Sequence, residues 1–518
     1  MKKSVYQLVS CLGILIIVSS LSMSAQMSLT QTMSVIQTEN GLVSGYKSGD
    51  INIFKGIPFA APPVGDLRWK APQPVKNWAG TLKCEKFSAS PMQSNPKPFM
   101  MWTEEFITPP DNLSEDCLYL NIWTPAKSAK EKLPVFVWIY GGGFSSGSAA
   151  CAVYDGEEMS KKGIIFVSIN YRVGVLGFLS TPELSSESEN KASGNYGLLD
   201  QVAALIWIKK NIEAFGGDPQ KVTIAGQSAG SMSVCALVAS PLAKGLFRGA
   251  IAQSGGILNS RMSRSLTEAE KSGLTFMEKM KASNISELRK KSPEELIAAG
   301  GNFGPDADGY VIPNDVFAAF KNGQFNDVYI MAGWVTGDGS LMGSQTMAPE
   351  KYKEQAIKNW GEKAAEYMKL FPGNTSEQVT ASLTELGLIQ FAALPAHLWA
   401  GFSKNKAYLY QFSHVPVDKP GFPNYGAFHT SEVPFALHTL HMWNRPWRDL
   451  DFAVEKTMSD YWVNFVKTGN PNGEGLPAWG AYDKSTGNIM GIGDKSQLSP
   501  GLFKNEFEFL ERTVVNKK

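Results

Sequence analysis

The chain has 518 residues, 43% of them apolar and 19% charged, a balance that excludes a disordered chain and fits a folded globular protein. Its 49 lysines and arginines against 48 aspartates and glutamates leave a formal charge of +1. No global field therefore draws it to nucleic acid or to an anionic membrane, and a neutral or mixed small molecule is the better-matched partner.

The chain opens on Met1-Lys2-Lys3, continues through an uncharged apolar run from Leu12 to Leu21, and reaches the small residues Ser22, Ser24 and Ala25. This is the order of a cleaved secretory signal. The run is half of the roughly 20 residues that span a bilayer, so stable membrane insertion is not expected. Leu8-Val9-Ser10-Cys11 looks like a lipoprotein box, but its apolar stretch follows the cysteine instead of preceding it. Residues 1–25 are thus expected to be a signal peptide, and the protein to be secreted or periplasmic.

Ser34 to Phe59 reads as an antiparallel entrance with turns at Asn40-Gly41 and Ser48-Gly49-Asp50. A loop-rich stretch from about Lys83 to Asp111 follows. From Leu133 onward, short β-branched runs alternate with longer amphipathic stretches, the pattern of a mostly parallel twisted sheet with helices on both faces. The expected buried strands are Val135–Tyr140, Ile164–Ile169, Val222–Ala225, Ala250–Ala252, Val328–Met331 and Ala407–Tyr410. The polar helical stretch from Thr267 to Ala299 interrupts them and, like the earlier loop, reads as a cap-like insertion. No repeat or linker divides the chain, so residues 26–518 are expected to form a single domain.

The chemistry gathers where strands end. Gly226-Gln227-Ser228-Ala229-Gly230 lies between the Val222 strand and a helical-looking segment, the context of a nucleophile elbow that lifts a serine hydroxyl into solvent. A serine needs a base and a place for the charge that forms on the attacked carbonyl oxygen. Gly141-Gly142-Gly143-Phe144 follows the Val135 strand, so Gly142, Gly143 and the N–H of Ala229 are the expected oxyanion donors.

Five histidines, His397, His414, His429, His438 and His441, compete for the role of base. His429, in a glycine-containing loop after the Ala407 strand, is the favoured one and His414 its main rival. The acid belongs between serine and histidine in chain order, close after a strand, where it fixes the imidazole tautomer. Asp338 satisfies this, whereas Asp327 precedes its strand and Glu432 is out of order. Phe99, Trp102, Phe106, Phe144 and Trp334 are read either as walls of an aromatic gorge or as core. The cysteines and histidines show no metal-ligand spacing, and no cofactor is implied.

Several stretches together resemble the type-B carboxylesterase and cholinesterase-like family of the α/β-hydrolase fold. They are Phe54-Lys55-Gly56-Ile57-Pro58-Phe59-Ala60, Pro63 to Trp69, Glu115-Asp116-Cys117-Leu118-Tyr119-Leu120-Asn121, Gly194 to Gln201, and Phe215-Gly216-Gly217-Asp218-Pro219. The resemblance implies a serine carboxylesterase with Ser228, Asp338 and His429 as triad, acting on a small-molecule ester through an acyl-enzyme. It also implies a disulfide between Cys84 and Cys117, with Cys151 and Cys235 free. A non-catalytic binding relative, or an amidase or thioesterase with the same triad, are the alternatives. Two departures stand out: Gln227 precedes the serine where the family often has glutamate, and the acid is Asp338 where glutamate is common.

Overall fold

The computed structural model describes residues 35–258, 264–341, 343 and 346–515. The signal peptide expected at residues 1–25 lies outside the described residues.

An eleven-stranded sheet organises the molecule. In chain order its strands are β1 (Tyr46–Ser48), β2 (Ile51–Pro58), β3 (Tyr119–Thr124), β4 (Leu133–Ile139), β5 (Ile165–Ile169) and β6 (Gly217–Gln227). They continue with β7 (Gly249–Gln253), β8 (Tyr329–Val335), β9 (Ala407–Phe412), β10 (Asn488–Ile492) and β11 (Gln497–Pro500). Across the sheet the order is β1-β2-β3-β5-β4-β6-β7-β8-β9-β10-β11. Pairings from β5 through β10 are parallel, and those toward either edge are antiparallel.

The central strands carry no alternation because helices cover both faces, so their runs are mostly apolar. Val135 to Ile139 of β4 and Ile165 to Ile169 of β5 are all buried, and each residue of one pairs with a residue of the other. Helix α1 (Tyr196–Asn211) packs on β6, and α2 (Ala229–Ala239) on β6 and β7. Every residue of α2 is buried, which matches a helix apolar all round. Arg172, just past β5, ties the sheet to α1 through a buried ion pair with Asp200, 2.7 Å long.

The polar stretch after β7 is helical at Leu266–Lys279, Ile285–Arg289 and Pro293–Ala298, as its composition predicts. A further helical region follows β8. There α3 (Ser376–Leu388), a π-helical turn at Ile389–Ala393 and α4 (Leu394–Phe402) form one continuous rod. By length and composition this rod is apolar enough to cross a membrane, but half of its most apolar window is buried inside the protein. Helix α5 (Asp449–Thr468) packs back on β4 and β6.

The expected disulfide is not formed: Cys84, Cys117, Cys151 and Cys235 are buried free thiols. The register of β2 gives the reason. Lys55 donates to the carbonyl of Cys84 and Phe59 to that of Leu118, beside Cys117. Four residues along a strand put the two cysteines on the order of 10 Å apart, beyond the about 4.4–6.8 Å between Cα atoms that a disulfide spans. Burial pushes the Cys84 thiol up to about 12 and that of Cys117 well above its ordinary value, so neither is poised as a thiolate.

Candidate active site

Ser228 sits between the end of β6 and the first turn of α2 with φ 60° and ψ −123°. A side-chain-bearing residue adopts that conformation only where its surroundings enforce it. The enforcement comes from close packing on both sides. A Cβ on Gly226 would stand 2.5 Å from the Gly230 carbonyl carbon and 2.6 Å from the Ile139 oxygen, and one on Gly230 would run into that same oxygen. The backbone N–H of Ser228 donates to Gln253 of β7 at 2.9 Å. The serine is thereby held partly exposed while Gln227 and Ala229 on either side are buried.

Beside it lies the glycine loop after β4. A Cβ on Gly141 would meet the Gln227 carbonyl at 2.6 Å and the Ser228 Cβ at 3.1 Å, so this loop touches the end of β6 and Ser228 directly. Gly142 and Gly143 follow with φ of 110° and 63° and are exposed. The Gly142 carbonyl is turned away, accepting the N–H groups of Ser145 and Ser146 at 3.1 Å each. Ala229 opens α2, where backbone N–H groups and the helix dipole favour negative charge.

His429 and Asp338, the residues favoured as base and acid, stand together. His429 Nδ1 lies 2.6 Å from Asp338 Oδ1, and both residues are 3% exposed. A carboxylate only accepts, so Nδ1 donates and Nε2 presents its lone pair. That Nε2 is buried with no hydrogen-bond partner among the described residues. Asp338 Oδ2 accepts the Val335 N–H at 3.1 Å, and Gly337 donates to Ala427 at 3.0 Å, which fastens the Asp338 loop to the His429 loop. Gln227 donates from Nε2 to the His429 carbonyl at 2.6 Å, joining the His429 loop to the end of β6.

The rival assignments fall elsewhere. His414 is clamped between Asp451 at 2.7 Å and Asp494 at 2.6 Å. His397 is held by Tyr482 and Glu511, and His438 bonds Ser459 at 3.0 Å, its burial lowering its pKa to about 4. Asp327 accepts from Ser403 near the surface. Glu432 is fully buried three residues beyond His429, its Oε1 3.5 Å from Ser254 Oγ, and makes no bond to the imidazole. Burial, aided by Asp338 nearby, pushes its carboxyl up to about 8.

Of the aromatic residues, Trp334 is fully buried and Phe106 and Phe144 are 8% exposed, so these three belong to the core. Phe144 packs edge-on against Phe178 at 5.3 Å. Phe99, at 56%, is an exposed tip of the cover loop. Sequence reasoning missed Phe391, whose ring meets that of His429 edge-on at 5.5 Å. Its signal is the π-helical turn that carries it, a feature of local backbone that composition does not announce. The open clefts lined by Lys55, Lys83 and Lys86, and by Phe422, Arg448 and Asp494, contain none of Ser228, Asp338 and His429. Among the described residues no group of three His, Cys, Asp or Glu side chains is clustered to hold a metal.

Comparison with known proteins bears on this arrangement. Residues 32–510 match the carboxylesterase family. The chain is 35% identical over 496 residues to fumonisin B1 esterase of Sphingopyxis macrogoltabida, covering 90% of this chain and 88% of that protein. It is 33% identical over 486 residues to para-nitrobenzyl esterase of Bacillus subtilis (strain 168), covering 88% and 94%. A solved PNB esterase superposes with a TM-score of 0.78 at 30% identity, over 92% of this chain and 100% of that one. The chain therefore belongs to the carboxylesterase family and is an ester-hydrolysing enzyme of the α/β-hydrolase fold.

Proposed function

We propose that the enzyme is exported and, as one catalytic domain, cleaves a small-molecule carboxylic ester through an acyl-enzyme formed on Ser228. His429 Nε2 takes the hydroxyl proton as Oγ attacks the carbonyl carbon. The resulting oxyanion accepts hydrogen bonds from the N–H groups of Gly142, Gly143 and Ala229, each donor supplying roughly 3 kcal/mol of transition-state stabilisation. His429 returns the proton to the leaving alcohol, and Asp338 stabilises the imidazolium in between. Water, activated by the same imidazole, then releases the acid. Breaking the ester and forming the two products consumes one water and no cofactor.

The observation that carries this reading is the 2.6 Å contact of His429 Nδ1 with Asp338, made on a loop that Gln227 fastens next to Ser228. The names of the relatives, a fumonisin B1 esterase, a cocaine esterase and a para-nitrobenzyl esterase, point to pocket shape rather than triad chemistry as what selects the ester. Export is supported by the basic start and the apolar run from Leu12 to Leu21.

Hydrolysis of p-nitrophenyl esters from acetate to octanoate, by wild type beside Ser228→Ala, tests the chemistry. Turnover abolished by the substitution is expected; equal turnover in both overturns the assignment. Amino-terminal sequencing of protein recovered outside the cytoplasm tests export, with a new terminus near residue 26 expected and an intact Met1 contradicting it.

A further inference from the structure

Exposed apolar side chains are not spread evenly over the surface. Twelve large ones stand exposed among the described residues, and six of them, Phe99, Met100, Val415, Phe422, Leu450 and Phe452, fall in three short segments. Each alone would need no explanation; their gathering does. The three segments are neighbours in space. From the cover loop, Glu105 accepts the Asn444 N–H at 3.1 Å and stands 4.0 Å from Lys419. Arg445 lies 5.9 Å from the Phe422 ring, and Arg448 donates to the Val415 carbonyl at 3.3 Å.

This face adjoins the candidate active site. Phe106, on the same loop as Phe99, meets Trp443 edge-on at 5.1 Å and Phe428 at 6.3 Å, and Phe428 directly precedes His429. The tip of the cover loop is held in shape: Phe99 and Trp102 exchange backbone hydrogen bonds of 3.0 Å each, and their rings pack at 4.7 Å. Phe99 and Met100 stand out from that turn, each more than half exposed.

We propose that this face docks on the surface of a neutral, water-insoluble ester, so that the enzyme draws substrate from an aggregate as well as from solution. The inference rests on the reading of Ser228 and His429 as the place of ester cleavage, and it names the physical form of the ester. Charge and relief select the occupant. Positions 99–106, 415–424 and 444–452 hold five acids against three bases, which disfavours an anionic membrane. A stable protein partner needs roughly 800 Å² of matched surface on each side, whereas here charged residues interrupt the apolar ones along every segment. A fluid surface needs no matching relief, and each large side chain that enters it gains by leaving water.

The test uses tributyrin, whose droplets present such a surface. Adsorption is read by flotation of Ser228→Ala enzyme with the droplets, and turnover by titrating the acid that wild type releases as tributyrin crosses its solubility limit. Two pairs of substitutions, Phe99→Ser with Met100→Ser and Phe422→Ser with Phe452→Ser, are introduced separately into both backgrounds. The parent is expected to float with the droplets, and wild type to turn over faster once droplets form. Each pair is expected to weaken adsorption about tenfold and to flatten that rise. Hydrolysis of dissolved p-nitrophenyl acetate should stay within about twofold of wild type, as for other surface substitutions.

Adsorption that is absent in the parent, or equal in the parent and both pairs, overturns the proposal. So does preference for phosphatidylglycerol vesicles over droplets, which would mark an anionic membrane. A dimer in ultracentrifugation that either pair dissociates overturns it too, because a second copy would then cover the face. Should one pair fail to fold by circular dichroism, the other decides. Ser228→Ala separates the two levels: if it still hydrolyses p-nitrophenyl acetate, the reading of the site fails, while the pairs continue to judge adsorption.

Discussion

Gly230 and Ile139 approach so closely that the smallest side chain on the glycine would collide with the carbonyl oxygen at the end of β4. The Ser228 turn is therefore wedged against the strand that carries the glycine loop. Gly230→Ala is expected to cost about 1–3 kcal/mol of stability through overpacking, because the obstacle is backbone and cannot rotate away. Thermal unfolding should show a lowered Tm together with a fall in kcat; an unchanged Tm would mean the turn is softer than the geometry implies.

Asp338→Asn should leave the fold intact and lower kcat by about four orders of magnitude, since the amide favours the wrong imidazole tautomer and cannot balance an imidazolium. Steady-state kinetics at fixed pH checks this. A loss of only a few-fold would show that another group orients His429.

Glu432 predicts a pH dependence of stability. Its folded value of about 8 lies above the ordinary 4.5, so the stability associated with its neutral form is complete below 4.5 and is lost as pH rises through about 8. Glu455, pushed to about 7 by burial, shares the window, so only a difference measurement isolates Glu432. Tm against pH should fall more steeply for wild type than for Glu432→Gln across that interval. Parallel curves would refute it.

His414→Ala tests the rival base and the clamp at once. The link to Asp494 is weakened by solvent, that carboxylate being 68% exposed, but the one to Asp451 is fully buried. Asp451 retains Arg448, so the expected loss is about 2–3 kcal/mol, below that of an unpaired buried charge. kcat measured well under the lowered Tm should stay near the wild-type value; its abolition would return His414 to the catalytic role.

Four thiols per chain beyond residue 34 should react with a thiol reagent in denaturant, matching the free Cys84, Cys117, Cys151 and Cys235. Reducing agent should not move Tm. Two titratable thiols, or a Tm that drops on reduction, would reveal a bridge.

How far the sequence could be read depended on which force shaped each part. β4, β5 and the second half of β6 were legible because both faces are covered and their residues are buried and mostly apolar. β3 was hidden by Asn121 at its centre, a buried side chain whose amide donates to Ser168 and whose oxygen accepts from Gly56. β11, Gln497 to Pro500, is a polar edge that exists by pairing with β10, and no local pattern declares it. Asp338 could be preferred over Asp327 because strand ends are where this fold puts chemistry. The bond from Gln227 to the His429 carbonyl was not readable, since its partner lies 202 residues away.

That separation has a consequence for how the enzyme comes into being. Closing so long a span is entropically late, and contacts of this reach slow the search for the native state. On the proposed triad, a nascent chain that has not yet emerged past His429 owns the Ser228 turn but no base, and is mute as a hydrolase. During refolding, the recovery of turnover should lag behind the recovery of helical signal, so that the first ester cleaved marks the moment the loop after β9 has docked on the end of β6.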